Sequence, residues 1–174
     1  KSTDEQARTN QAVQNVHFRR ALAMSLDRGQ YNAVMYGEDL KYNALRNSYT
    51  PGNFVSLSKD VTVSINGEDV TFPAGTNYGE IEQAQIDADG VKVTVFDKDS
   101  TNEQQSDGFD GWYNVDNARE EMAQAVEELK AEGLEITAEN PIQLDLPYPS
   151  SDEVFTNTAN VYKKSLEEGL EGLV

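Results

Sequence analysis

The sequence predicts an α/β fold with mixed α+β character, and three observations carry that prediction. Several stretches repeat apolar residues at helical spacing, others alternate them at strand spacing, and from residue 76 onward the two kinds take turns. The 174 residues suit a single domain, since domains cluster near roughly 100–150 residues and seldom divide below ~250.

Asn15 to Arg28 reads as a helix, because Phe18, Leu22 and Leu26 recur every four residues with Ala21 beside them. Gly29 closes it, and Tyr31, Val34 and Met35 predict a second short helix ending at Gly37. Residues 41–58 show no period and contain Pro51-Gly52, the mark of a long loop. Val61, Val63 and Ile65 alternate toward Asn66-Gly67, and Val70 and Phe72 lead away from it. Asn-Gly supplies the positive φ angles of a tight turn, so this stretch predicts a β-hairpin.

Thr76 is placed to cap a helix over 77–88 that buries Tyr78, Ile81 and Ala84, with Gly90 after it. Val91, Val93 and Val95 alternate as a half-buried strand. Residues 97–111 are polar and rich in Gly and Asp, a loop. Asp116 then caps an amphipathic helix with Ala118, Met122, Ala125, Val126 and Leu129 on one face and Gly133 at its end. Ile142, Leu144 and Leu146 alternate as a further strand. Ser150 and Glu153 form a capping box for a helix burying Phe155, Ala159, Tyr162 and Leu166. Gly169 to Val174 reads as a helix exit and the first step of another strand, which suggests a chain cut inside a larger protein.

Composition removes whole classes of function. Fourteen Lys and Arg against 31 Asp and Glu give a net charge of −17 and a pI near 4.2, a poor match for phosphate backbones, so no nucleic-acid partner is expected. The charge is uneven: residues 1–46 carry a net +2 and residues 47–174 a net −19. A solvated acidic surface explains this; carboxylates gathered in a cleft for cationic ligands would be the functional alternative. The absence of cysteine excludes disulfides, thiolate nucleophiles and Cys-based zinc or iron–sulfur sites. No apolar run approaches the ~20 residues of a membrane span. Lys1 opens directly into polar sequence with no signal peptide, compatible with a mature form, an internal fragment or a cytosolic protein.

Asn15-Val16-His17-Phe18-Arg19-Arg20-Ala21-Leu22-Ala23-Met24-Ser25-Leu26-Asp27-Arg28 resembles the stretch V/N-x-x-x-R-x-A-L-x-x-A/S-I/L-D-R of extracytoplasmic oligopeptide- and dipeptide-binding proteins of ABC importers, the family 5 solute-binding proteins. The resemblance continues in order. A loop with Thr50-Pro51 is similar to the family's Tyr-Thr-Pro or Pro-Pro loop. Gly111-Trp112-Tyr113-Asn114, Asp116, Ala118 and the helix to Glu132-Gly133 resemble its Y-N-P-E-x-A-x-x-L-L-x-x-A-G segment. The stretch Ile142–Leu146 and the helix from Ser150 to Gly169 resemble the strand and helix that follow.

Several expectations rest on that resemblance. The chain corresponds to part of one lobe, the second, of a two-lobed periplasmic-binding-protein-like (type II) fold. Residues 54–108 (hairpin, helix, strand) are an insertion typical of large oligopeptide-binding relatives. The parent binds peptide between two closing lobes and presents it to an ABC permease in the membrane. It resides outside the cell, as a lipid-anchored cell-surface protein or in the periplasm. The fragment itself is expected to be monomeric. The rival from another class is a non-catalytic acidic cell-surface module, structural or adhesive, that binds a protein partner.

Tyr42, Asn43, Arg46, Asn47 and Tyr49 are the candidate ligand-binding residues. An aperiodic loop mixing aromatic, amide and guanidinium groups can hold a peptide through hydrogen bonds and ring packing. Its alternative is an ordinary surface loop. Arg19, Arg20, Asp27 and Arg28 read as surface charges flanking a buried helical stripe. Trp112 and Tyr113 read as a staple at a helix entry. His17 has no nucleophile or serine elbow beside it, so no catalytic residue is expected and the chain does not read as an enzyme. Asp97-Lys98-Asp99 starts like a calcium loop, but Thr101, Asn102 and Gly108 stand where an EF-hand needs Asp or Asn, Gly and Glu. Asp97, Asp99, Asp107 and Asp110 thus read as loop solubility, and no metal or cofactor is expected.

Overall fold

The computed structural model describes residues 1–43, 45–99 and 110–174. It is a mixed α and β structure: six α-helices and one two-stranded antiparallel sheet among the described residues. The chain packs as two compact units, one of residues 1–38 with 113–174 and one of residues 39–112. The elements anticipated for 54–108 fall in the second.

The first unit opens with a helix that periodicity does not reveal. α1 (Thr3–Gln14) is polar and buries only Ala12, yet Ser2 and Glu5 form a reciprocal capping box at its start. α2 (Val16–Ser25) follows, N-capped by Asn15, and α3 (Arg28–Tyr36) is N-capped by Asp27 and closed by Gly37 at φ +82°. The buried face of α2 is Phe18, Ala21, Met24 and Ser25, while Leu22 and Leu26 are only half-buried. The stripe is therefore rotated from the every-fourth-residue reading. Small residues explain the phase: α5 (Val115–Ala131) buries Ala118, Met122, Ala125 and Leu129, and alanines on both faces let the two helices approach closely. The cap of α5 is Asn114 and not Asp116, so the helix begins two residues earlier than predicted, and the Asn114 amide donates to the Met24 carbonyl at 2.8 Å.

α6 (Glu153–Gly169) is capped by Asp152, whose carboxylate accepts from the amides of Val154 and Phe155; Ser150 is not the cap. Its buried positions are Thr158, Ala159, Leu166 and Gly169, and Phe155 is exposed, contrary to its place in the predicted stripe. Ser165 ties α6 to the α2–α3 junction, donating to the Ser25 carbonyl and accepting from the Asp27 amide, each at 2.8 Å. Residues 142–146 form no strand. Ile142 is fully buried there, but the segment pairs with no neighbouring strand beyond one hydrogen bond to Leu173.

The second unit holds the hairpin as predicted. β1 (Val61–Ile65) pairs with β2 (Glu68–Phe72), Val61 opposite Phe72 and Ile65 opposite Glu68, around Asn66 at φ +51° and Gly67 at φ +85°. The Asn66 side chain also donates to the Ala88 carbonyl at the end of α4 (Tyr78–Ala88). The cap of α4 is Asn77 rather than Thr76, whose hydroxyl instead donates to the Pro73 carbonyl at 2.7 Å. Replacing Asn66-Gly67 by Ala-Ala forces two alanines into left-handed backbone at about 1–2 kcal/mol each and removes the tie to α4. Amide exchange of β1 and β2 is expected to accelerate; unchanged protection would show that the turn does not hold the pairing.

The stretch 91–95 corrects a second strand assignment. Val91, Val93 and Val95 are buried, as their alternation requires, but among the described residues no strand pairs with them. The Gln83 side chain from α4 takes that place: its carboxamide oxygen accepts from the Val95 and Phe96 amides, and its nitrogen donates to the Val93 carbonyl at 3.0 Å. Buried main-chain groups must be paired, and here a side chain pairs them.

Candidate functional site

The loop bearing the five candidate residues lies in the second unit and is held by its own main chain. Leu45 is buried, and the Leu45 and Asn43 amides close turns onto Tyr42 and Leu40. Further along, the Leu57 amide donates to Thr76, the Gly75 amide to Leu57, the Tyr78 amide to Val55 and the Gly79 amide to Gly52, all at 2.8–2.9 Å. Gly52 and Gly79 face the Phe96 ring so closely that a Cβ at either would collide with it.

Asn47 is the centre of this scaffold. It is 7% exposed, its Nδ2 donates to the Val95 carbonyl at 3.3 Å and its Oδ1 accepts from the Gly111 amide at 3.2 Å. Its own carbonyl accepts from the Trp112 indole at 3.0 Å. At Gly111 a Cβ would meet the Thr94 carbonyl oxygen, so only glycine lets the backbone come that close. The Trp112 nitrogen is thus spent on the loop, a role the staple reading did not include.

The remaining candidates turn outward. Tyr49 is wholly exposed, Asn43 and Arg46 are exposed, and Tyr42 is half-buried with the Lys41 ammonium 5.2 Å from its ring centre. Arg46 donates to the Leu45 carbonyl at 2.6 Å, which fixes the base of its guanidinium beside the loop. Phe54 and Val55, 78% and 52% exposed, add apolar surface to the same loop. Sequence reasoning passed over these two by taking Phe54 as the edge of an insertion; their signal was a pair of large apolar residues in an otherwise polar loop. The arrangement can present aromatic, amide and guanidinium groups on a hydrogen-bonded support. Asp97 and Asp99 lie in the described part of the acidic loop, and Asp110 is buried; Asp107 lies outside the described residues.

In the first unit the sole histidine is a pin between helices. His17 Nδ1 sits 2.6 Å from Glu121 and its Nε2 3.6 Å from Glu128, with Arg20 3.9 Å from Glu121. Hydrogen bonds from Asn15 and Gln124, and then the charge of His17, hold the Glu128 carboxyl below its usual value of 4.5. A carboxyl lowered on folding stabilises above that value, and the contribution is lost as pH falls through the lowered one. Arg19 closes the end of α1 by donating to the Val13 and Gln14 carbonyls, and Asp27 caps α3. No group of three or more metal-ligating side chains occurs among the described residues, and none of the helices there is long and apolar enough to cross a membrane.

No family model matches the chain. Curated relatives do. The oligopeptide-binding protein AmiA of Streptococcus pneumoniae is 30% identical over all of this chain and 23% of its own length. The oligopeptide-binding protein SarA of Streptococcus gordonii is 30% identical over 98% of this chain and 22% of its own. The oligopeptide-binding protein AliB of Streptococcus pneumoniae is 29% identical over 95% of this chain and 21% of its own. The chain therefore spans about a fifth of the length of the relatives it matches. From end to end it is similar to one segment of the streptococcal oligopeptide-binding proteins.

Proposed function

We propose that the chain is a segment of the peptide-binding component of an ABC-type peptide importer, and that it acts by binding and not by catalysis. The observation that carries this reading is identity of about 30% along the whole chain to proteins named for binding oligopeptides. In this reading residues 1–174 are part of the second lobe of a two-lobed type II fold, and the elements of 54–108 are an insertion in it. The lobes hinge shut over an extended peptide and hand it to a membrane permease. The parent is extracellular, lipid-anchored at the cell surface or periplasmic, and the segment alone is a monomer.

Tyr42, Asn43, Arg46 and Tyr49 are the groups that touch the peptide, and Asn47 positions them from beneath. An exposed tyrosine and an arginine on one loop match the residue types that dominate binding energy. In a protein of the relatives' length, Tyr49→Ala and Arg46→Ala are each expected to weaken binding of a mixed oligopeptide pool about tenfold and to leave the melting temperature unchanged. Unchanged affinity in both variants would remove this loop from the peptide site.

A further inference from the structure

Asn66 is the only asparagine in the sequence followed by glycine, and the pair stands exposed at the tip of the hairpin. An asparagine carboxamide is open to attack at Cγ by the main-chain nitrogen of the next residue, a source of its thermal lability. Glycine in that place has no Cβ to obstruct the approach. The Gly67 amide makes no hydrogen bond among the described residues, so nothing there withholds its nitrogen. The folded turn restrains the reaction all the same. Asn66 is held at φ +51° and Gly67 at φ +85°, between the paired residues Ile65 and Glu68. The Asn66 side chain is engaged elsewhere, donating through Nδ2 to the Ala88 carbonyl at the end of α4. Closing a ring onto Gly67 needs that side chain turned back onto its own main chain, which the bond to Ala88 opposes. The ring therefore forms when the hairpin tip opens, a local event of low cost at an exposed turn.

The partner of Asn66 makes the consequence specific. Ala88 is the last residue of α4, whose final turn holds no basic side chain, and Asp87 and Asp89 flank it in sequence. Carbonyls at a helix C-terminus carry partial negative charge. A neutral carboxamide donor suits that position. A carboxylate has no proton to donate and is repelled by the same carbonyl.

We propose that Asn66 is a site of spontaneous deamidation, gated by opening of the hairpin, and that its conversion unties the hairpin from α4. The Gly67 main-chain nitrogen attacks Asn66 Cγ. A bond from that nitrogen to Cγ forms, the Cγ–Nδ2 bond breaks, and the Gly67 amide proton leaves with the side-chain nitrogen as ammonia. Water then adds to either carbonyl of the resulting succinimide and opens it, giving aspartate or isoaspartate with no change of oxidation state. Either product sets a negative charge where the donor to Ala88 stood. In isoaspartate the main chain also runs through the former side chain, which lengthens the turn against the Ile65–Glu68 register. The inference stands independently of what the protein binds.

Incubation of the chain at mildly alkaline pH, followed by peptide mapping that separates aspartyl from isoaspartyl products, tests the site. Asn66 is expected to convert about tenfold faster than any other asparagine of the chain. Asn66→Gln, whose longer side chain closes a ring far less readily, should abolish the product. No conversion at Asn66, or another asparagine converting as fast, would overturn the proposal. Phe72→Ala removes a buried ring from the hairpin and is expected to speed conversion about tenfold by letting the tip open. An equal rate in parent and variant would overturn the gating. Asn66→Asp supplies one product without the reaction. Amides of β1, β2 and the last turn of α4 should then exchange about tenfold faster than in the parent. Unchanged exchange would show that the conversion unties nothing, and would overturn that half of the proposal.

Discussion

Phe18→Ala is expected to lower the unfolding free energy of the chain by about 3–5 kcal/mol. Phe18 is fully buried on the face of α2 that meets α5, where Ala21, Ala118 and Ala125 are also at zero exposure. A cavity opened there has little means to collapse. Alanines line both faces of the contact, and α2 is pinned to α5 by His17 with Glu121 and by Asn15 with Glu128. Urea unfolding followed by circular dichroism measures the loss. Met35→Ala, at a residue 46% exposed, is the control and should fall within about 0.5 kcal/mol of the parent. A loss below about 1 kcal/mol at Phe18 would mean that the α2–α5 interface is not the core of this unit.

Asn47→Ala should be nearly as costly for the second unit. The substitution strips the partner from the Gly111 amide and from the Val95 carbonyl. A buried group left unpaired costs about 1–3 kcal/mol, so the expected destabilisation is about 2–4 kcal/mol. Asn47→Asp separates the two halves of this clamp, since it can still accept from Gly111 but cannot donate to Val95. It should cost at least as much as the alanine variant, because its buried carboxylate would face the Val95 carbonyl oxygen. The observable is the exchange of amides in residues 45–57 and 91–96, which should accelerate together. If only Gly111 responds, Asn47 is a local tie and not the support of the loop.

Local chemistry was legible in the sequence, and pairing at a distance was not. Asn66-Gly67 reveals the hairpin because the positive φ angles are a property of those two residues themselves. The stripe of α5 is legible for a similar reason, since Ala118, Met122, Ala125 and Leu129 report one face by spacing alone. The phase of α2 depended on its neighbour: close approach favoured Ala21 and Ser25 over Leu22 and Leu26. Val91, Val93 and Val95 alternate and are buried, yet their main chain is satisfied by Gln83, and no periodicity reports a side chain acting as a strand's partner. α1 hid for the opposite reason, because it buries a single alanine and leaves only its Ser2–Glu5 cap as a signal.

The candidate site divides in the same manner. Composition identified a loop that combines ring, amide and guanidinium groups. It could not say which of them turn inward. Asn47 does so because its amide can pair a donor and an acceptor that would otherwise be buried alone, whereas Tyr49 has no such role and stands in solvent. Phe54 and Val55, exposed on the same loop, were missed because a domain edge was drawn through them.

Calorimetry of the 174-residue chain and of the protein at its natural length, against one mixed oligopeptide pool, tests the central reading most directly. Affinity depends on preorganised contacts from both walls of a cleft, and this chain spans about a fifth of its relatives' length. If the longer protein binds near ~1 μM, about −8 kcal/mol, half of that free energy leaves the chain near ~1 mM. The expected result is therefore micromolar binding by the longer protein and millimolar or weaker binding by the chain. Micromolar binding by the chain alone would place the whole cleft within residues 1–174, and no binding by the longer protein would contradict the peptide-binding function itself.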